Sequence, residues 1–276
     1  MRRILISTTT NWNCGDQFIL FGVKNILNEM FHESPCYINY DRNPNNMVDY
    51  TGNQNMKEGL HGTFMNNPID WDLVQMVVLA GSPEFLHEPL APIYEGLAKH
   101  THIPLLAIGV GYSYEDFVKP LTDCEMQVLK RPNTLIITRQ EQLSNNLKQL
   151  LDREIFTLPC PALFCFKDFP EKKYDICNNL AHSLDELERE NYFSSDPYEM
   201  LEYIGSHRVV HSHRLHGAIA GISSGAKSYL YNDSFRATEA IKLFESVIGR
   251  DEETIKKFKD ETFRKYIKIL KNQNFI

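Results

Sequence analysis

The sequence predicts an α/β protein built on parallel, doubly wound sheets. Short apolar runs alternate with amphipathic helical stretches, and glycine or Gly-Ser-Pro punctuation closes several of the runs. With 42% hydrophobic, 11% aromatic and 24% charged residues over 276 positions, the chain can also bury a real core.

In chain order, Ile4 to Ser7 reads as a short buried strand, Asn11 to Asp16 as a polar loop, and Gln17 to Met30 as an amphipathic helix. Asp41 to Asn67 is rich in Asn, Gly and Asp with no sustained period, which predicts a long loop or irregular insertion. Leu73 to Ala80 is an apolar run ended by Gly81-Ser82-Pro83. A helix over Ala91 to Lys99 follows, then a strand over Pro104 to Val110 closed by Gly111. Phe117 to Lys130 reads as helix, Thr134 to Thr138 as strand and Gln142 to Leu151 as helix. Strands separated by helices pair in parallel, because a crossover helix returns the chain to the same edge.

From Lys167 to Tyr198 the composition turns charged and polar around Pro170, Glu171, Lys172 and Lys173, which suits a boundary or a poorly packed connection. The chain divides there into residues 1–166 and 167–276. Beyond it the alternation resumes: helix Tyr198 to Ile204, strand Arg208 to Ser212, a glycine-bearing helix Leu215 to Ser224, and strand Lys227 to Tyr231. Helices over Ser234 to Ser246 and Glu252 to Leu270 complete it, the last with a packing stripe of Ile255, Phe258, Phe263, Ile267 and Leu270.

The net charge of −7 supplies no electrostatic footprint for nucleic acid, so an anionic ligand must be held by a few local cations and backbone N–H groups. The six cysteines include no C-x-x-C pair, which argues against a zinc ribbon and for reduced thiols. Met-Arg-Arg-Ile-Leu-Ile-Ser is too short an apolar opening for a signal peptide, and no run of about 20 apolar residues exists to span a membrane. The expected setting is cytoplasmic.

The stretch richest in chemistry is Val209-Val210-His211-Ser212-His213-Arg214-Leu215-His216-Gly217-Ala218-Ile219, an apolar strand that meets a helix. Its first helical turn stands at the carboxyl end of a strand, where open α/β sheets bind ligands. Free N–H groups there favour an anion, Arg214 can pair with a carboxylate or phosphate, and His216 can carry a proton. Gly217, Gly221 and Gly225 leave one helix face bare for close approach, with Gly225 placed as a C-cap. The plainer alternative is a glycine-rich buried helix with a surface arginine. A metal site is not expected: His211 and His213 share a strand face, but no carboxylate or Cys stands at ligand spacing.

The segment Ser212-His213-Arg214-Leu215-His216-Gly217-Ala218-Ile219 resembles the S-R-L-H-G-A-I signature of the polysaccharide pyruvyl transferase family, with His213 before the Arg. Three further stretches agree in order. Asn13-Cys14-Gly15-Asp16 is similar to the family's N-x-G-D segment, and Ala107-Ile108-Gly109-Val110-Gly111 to its middle strand and glycine turn. Thr138-Arg139-Gln140-Glu141-Gln142-Leu143-Ser144, followed by Leu158 to Leu163, is similar to its R-[DE]-x-x-S and D-P-A segments. The chain departs from the pattern at Gly81-Ser82-Pro83, where the family has a glycine triplet, at Cys160, where it has an acid, and in a shortened stretch between Phe166 and Val209.

The resemblance implies two Rossmann-like sheets of the glycosyltransferase-B type with a reduced second domain. It also implies transfer of a pyruvyl group from phosphoenolpyruvate to a sugar hydroxyl pair of a cell-envelope glycan or exopolysaccharide. No cofactor is implied; phosphoenolpyruvate is the donor substrate and a sugar or glycan the acceptor. His216 and Arg214 would be catalytic, the first as general acid, with Arg139 a second anion contact. Ser212, Gly217, Asn13, Asp16, Asp233 and Arg236 would contribute to binding. Each has a bland alternative: Asp16, Ser212 and Asp233 as helix caps, Arg139 as a surface partner of Glu141. A nucleotide-sugar glycosyltransferase of the same fold and a non-catalytic binding protein descended from the transferases are the rival functions.

Overall fold

The computed structural model describes residues 2–8, 14–31, 33–41, 69–82, 90–111, 121–179, 196–273 and 275. The Asn-rich stretch over 42–68, Asn13, and residues 117–120 of one expected helix lie outside them.

Six parallel strands form the larger sheet: β1 (Arg3–Thr8), β2 (Cys36–Asp41), β3 (Met76–Ser82), β4 (Leu105–Val110), β5 (Thr134–Thr138) and β6 (Phe156–Thr157). Their spatial order is β2-β1-β3-β4-β5-β6. The order reverses between β1 and β3, the kind of switch point beside which a crevice opens. Alternation along the strands divides the sheet's two faces. Ile4, Ile6, Val78 and Ile108 pack on helix α1 (Cys14–Met30). Leu5, Val77, Leu79 and Ala107 pack on α2 (Ala91–Lys99), α3 (Asp123–Leu129) and α4 (Glu141–Leu151). The larger sheet is therefore wound on both sides, as its periodicity predicts.

The smaller sheet holds β7 (Tyr174–Asn179), β8 (His207–Ser212) and β9 (Lys227–Leu230), parallel and in that order. Helices α5 (Pro197–Gly205) and α6 (Leu215–Ser223) pack on the face carrying Cys177 and Val210. On the opposite face Tyr174 and Ile176 are 58% and 55% exposed, and His211 stacks on Tyr229 and Tyr231. His211 Nδ1 also hydrogen-bonds the Tyr231 hydroxyl at 2.7 Å. Helices α7 (Phe235–Lys242) and α8 (Glu252–Asn272) close the chain, and α8 returns to α1. Ile255, Tyr266 and Leu270 of α8 are fully buried, in one hydrophobic cluster with α1, α5 and α6.

Several expectations are corrected. Helix α1 begins at Cys14, three residues before the predicted start, so Asp16 sits inside its first turn instead of capping it. Strands β2, β6 and β7 were not foreseen, and β7 lies where a poorly packed connection was expected. Helix α7 is shorter than predicted and gives way to turns over 243–249. Among the described residues, no helix is long and apolar enough to cross a membrane.

Candidate active site

Strand β8 ends at Ser212, and the chain turns at once into α6. The Ser212 hydroxyl accepts the Arg214 N–H at 3.0 Å and donates to the Arg214 carbonyl at 2.9 Å, closing the turn. Ser212 is fully buried and holds the strand-to-helix corner; the N-cap residue is Arg214, so the capping role open to Ser212 does not apply. Asn232 braces the same corner, its side-chain amide donating to the His213 carbonyl at 2.7 Å. His216 and Gly217 follow in the first turn, both buried. At the other end Gly225 has φ +81, the left-handed conformation that terminates a helix.

Arg139 lies one residue past β5 and extends the ladder, its N–H donating to the Val110 carbonyl at 2.8 Å. Its side chain is 0% exposed, which overturns the reading of a surface partner for Glu141. Nη1 stands 2.7 Å from His216 Nε2 and 3.6 Å from the Cys160 sulfur. Nε and Nη2 are buried and meet no hydrogen-bond acceptor among the described residues. The guanidinium lies over Gly111, where any Cβ would fall 2.4 Å from Nε and 3.0 Å from Nη2. An arginine buried with two unpartnered nitrogens is costly unless something anionic fills the place.

The electrostatics are those of an anion site. Burial, then the charges of Arg139 and Arg236, hold the His216 imidazole well below its usual pKa. Arg214 faces the first turn of α1: its charge opposes the rise to about 11 that burial imposes on the Cys14 thiol, with Asp196 also nearby. Positive charge from β5, α6 and α7 thus meets at one end of the two sheets.

Of the sequence candidates, the structure gathers Arg139, His216, Gly217 and Arg236 around one imidazole, with Arg214 and Asp16 at the α1 side. Asp16 is 3% exposed. Asp233 is exposed, and the α7 cap is Ser234. Gly111 was read only as a strand terminator and Cys160 only as a departure; neither gave a local signal of contact with Arg139. Tyr266, whose hydroxyl donates to the Pro159 carbonyl at 2.7 Å, carries no sequence signal of its own. Ser7 and Thr8, at the end of β1, carry buried hydroxyls without a partner among the described residues.

The sequence model of the polysaccharide pyruvyl transferase family matches residues 13–234. The chain belongs to the polysaccharide pyruvyl transferase family. That match takes in Arg139, Arg214, His216 and Gly217, and ends just before α7. No curated protein is similar enough to this pyruvyl transferase family member to count as a match. Among solved structures it shares its fold with a functionally uncharacterised protein from Klebsiella pneumoniae, with a TM-score of 0.51 and 10% identity over 89% of this chain and 90% of that one. A Phytolacca americana UGT2 structure, complexed with UDP-2-fluoro-glucose and pterostilbene, aligns at a TM-score of 0.42 and 9% identity over 99% of this chain and 94% of that one.

Proposed function

We propose that this family member moves a pyruvyl group from phosphoenolpyruvate onto two hydroxyls of a sugar, forming a cyclic ketal. The observation that carries the reading is Arg139: fully buried, with no acceptor for Nε and Nη2 among the described residues and His216 held at Nη1. A guanidinium so placed suits a carboxylate or phosphate beside a residue able to carry a proton.

In this reading Arg139, Arg214 and Arg236 bind the donor's carboxylate and phosphate, and the first turn of α6 supplies N–H groups and the positive end of its dipole. A proton from His216 adds to the methylene carbon, making it a methyl group and leaving C2 electrophilic. A sugar hydroxyl attacks C2 and loses its proton. The C2–O bond to phosphate then breaks, the neighbouring hydroxyl attacks, and the ketal closes. Two hydroxyl protons are released; one restores His216 and the other leaves with phosphate. In the same reading Asp16 positions the acceptor and Gly217 the donor. No cofactor is required for this sequence of steps, and the acceptor is a glycan or a glycan precursor.

The test is phosphate release from phosphoenolpyruvate across a panel of sugar acceptors, with His216→Ala and Arg214→Ala alongside the wild type. Release that needs an acceptor and falls by a factor of about 10² or more in both variants is expected. A wild type that neither turns over nor binds phosphoenolpyruvate would sink the reading and move a nucleotide-sugar transferase or a binding protein ahead.

A further inference from the structure

The resting contact between Arg139 and His216 is incompatible with the proton the reaction calls for. A guanidinium has donors only, so at 2.7 Å its Nη1–H must point at a lone pair on His216 Nε2. Nε2 is therefore unprotonated, the ring proton resides on Nδ1, and the imidazole is neutral. Its surroundings reinforce that state. Arg139 at the end of β5 and Arg236 from α7 both disfavour the cation. Cys160 lies on the Arg139 side, and Tyr266 of α8 shares the fields of both. Arg214 adds a further positive charge on the α1 side, beside Cys14.

We propose that donor binding itself loads the acid: the donor's anionic oxygens draw Arg139 Nη1 away from His216 Nε2, and the vacated nitrogen takes up a proton from solvent. The inference rests on the pyruvyl-transfer reading and deepens it. Arg139 is then a positioning residue with two settings. In one it withholds the proton from His216; in the other it turns to the donor, using Nε and Nη2, which meet no acceptor among the described residues. Water in an empty site meets a neutral imidazole, and the acid appears only when the alkene to be protonated is in place.

Calorimetric titration with phosphoenolpyruvate at pH 7.5, in buffers of different ionisation enthalpy, counts the protons exchanged. A phosphomonoester loses its last proton near pKa 6, so at that pH the donor arrives almost fully ionised. The expected result is net uptake, up to about one proton per bound donor, abolished in His216→Gln. Nitrogen chemical shifts of the wild-type imidazole without donor should show the Nδ1–H tautomer at neutral pH, whether or not the variant folds. Donor heat without proton uptake, or a His216 already protonated in the free protein, overturns this inference and leaves the functional reading standing. Absence of any donor heat overturns both.

Discussion

At the scale of single residues, the decisive contact is between a glycine without a side chain and an arginine without solvent. Arg139 can lie flat only because Gly111 offers no Cβ, which would otherwise stand 2.4 Å from Nε. Gly111→Ala should displace the guanidinium and weaken phosphoenolpyruvate binding at least tenfold by calorimetry, at a folding cost of about 1–3 kcal/mol from overpacking. Undiminished donor affinity in that variant would mean Arg139 does not hold the donor. Much of this site was legible in the sequence as a list, because Arg214, His216 and Gly217 sit together at a strand-to-helix junction. Its geometry was not legible. Arg139 and His216 are 77 positions apart, and no local pattern announces that two such residues touch. Cys160 and Tyr266 are invisible for the same reason, since a lone thiol and a helical tyrosine have the same appearance in any core.

At the scale of elements, α6 is anchored behind as well as armed in front. Lys259 of α8, only 8% exposed, donates to the carbonyls of Ser223 at 2.9 Å and Phe166 at 2.6 Å. Lys172 donates to the Ser224 carbonyl at 2.7 Å and to that of Gly205, the last residue of α5, at 2.9 Å. Cations at the carbonyl end complement the dipole of a helix whose positive end is the turn that carries His216. Lys259→Met strands two inward-facing carbonyls and should destabilise the fold by roughly 1–3 kcal/mol, seen as a lower denaturant midpoint at unchanged slope. Helices with a local period and a local stop were readable: Ala91–Lys99 and the start of Leu215–Ser223 fall where the sequence put them. The missed strands owe their place to partners far along the chain. Tyr174–Asn179 is polar and exposed because the topology sets it at a sheet edge, and β6 is two residues that acquire strand character only beside β5. The start of α1 was misplaced because Cys14-Gly15-Asp16 has loop-like composition, yet all three are buried in the helix's first turn.

At the scale of the whole molecule, ionisation of buried groups sets the pH range of stability. Burial pushes the thiols of Cys14 and Cys165 up to about 11 and that of Cys177 to about 12, against an ordinary value of 9.0. These raised groups favour the fold below pH 9.0, and the advantage fades as pH climbs to about 11, because the unfolded chain ionises first. Lys172 and Lys259, lowered to about 8, work the other way as pH passes from about 8 to 10.5. Cys124 is raised in the same way and Lys24 lowered like the other two lysines, so four thiols outweigh three lysines, and Tyr37, Tyr94 and Tyr266, raised by burial, add to the thiols. Melting temperature should therefore decline above pH 9.0, and less steeply in Cys177→Ala; a melting temperature still rising at pH 10.5 would refute this. The same inward packing bears on where the molecule can be divided. The family match ends at Ser234, but the seam along α1 is sealed by Ile255, Tyr266 and Leu270 of a helix outside the matched stretch. Tyr266 also fastens the carbonyl next to Cys160. The family match and the buried core are thus not coextensive: the matched stretch contains Arg139 and His216, while the core it packs on is completed by α8, outside that stretch.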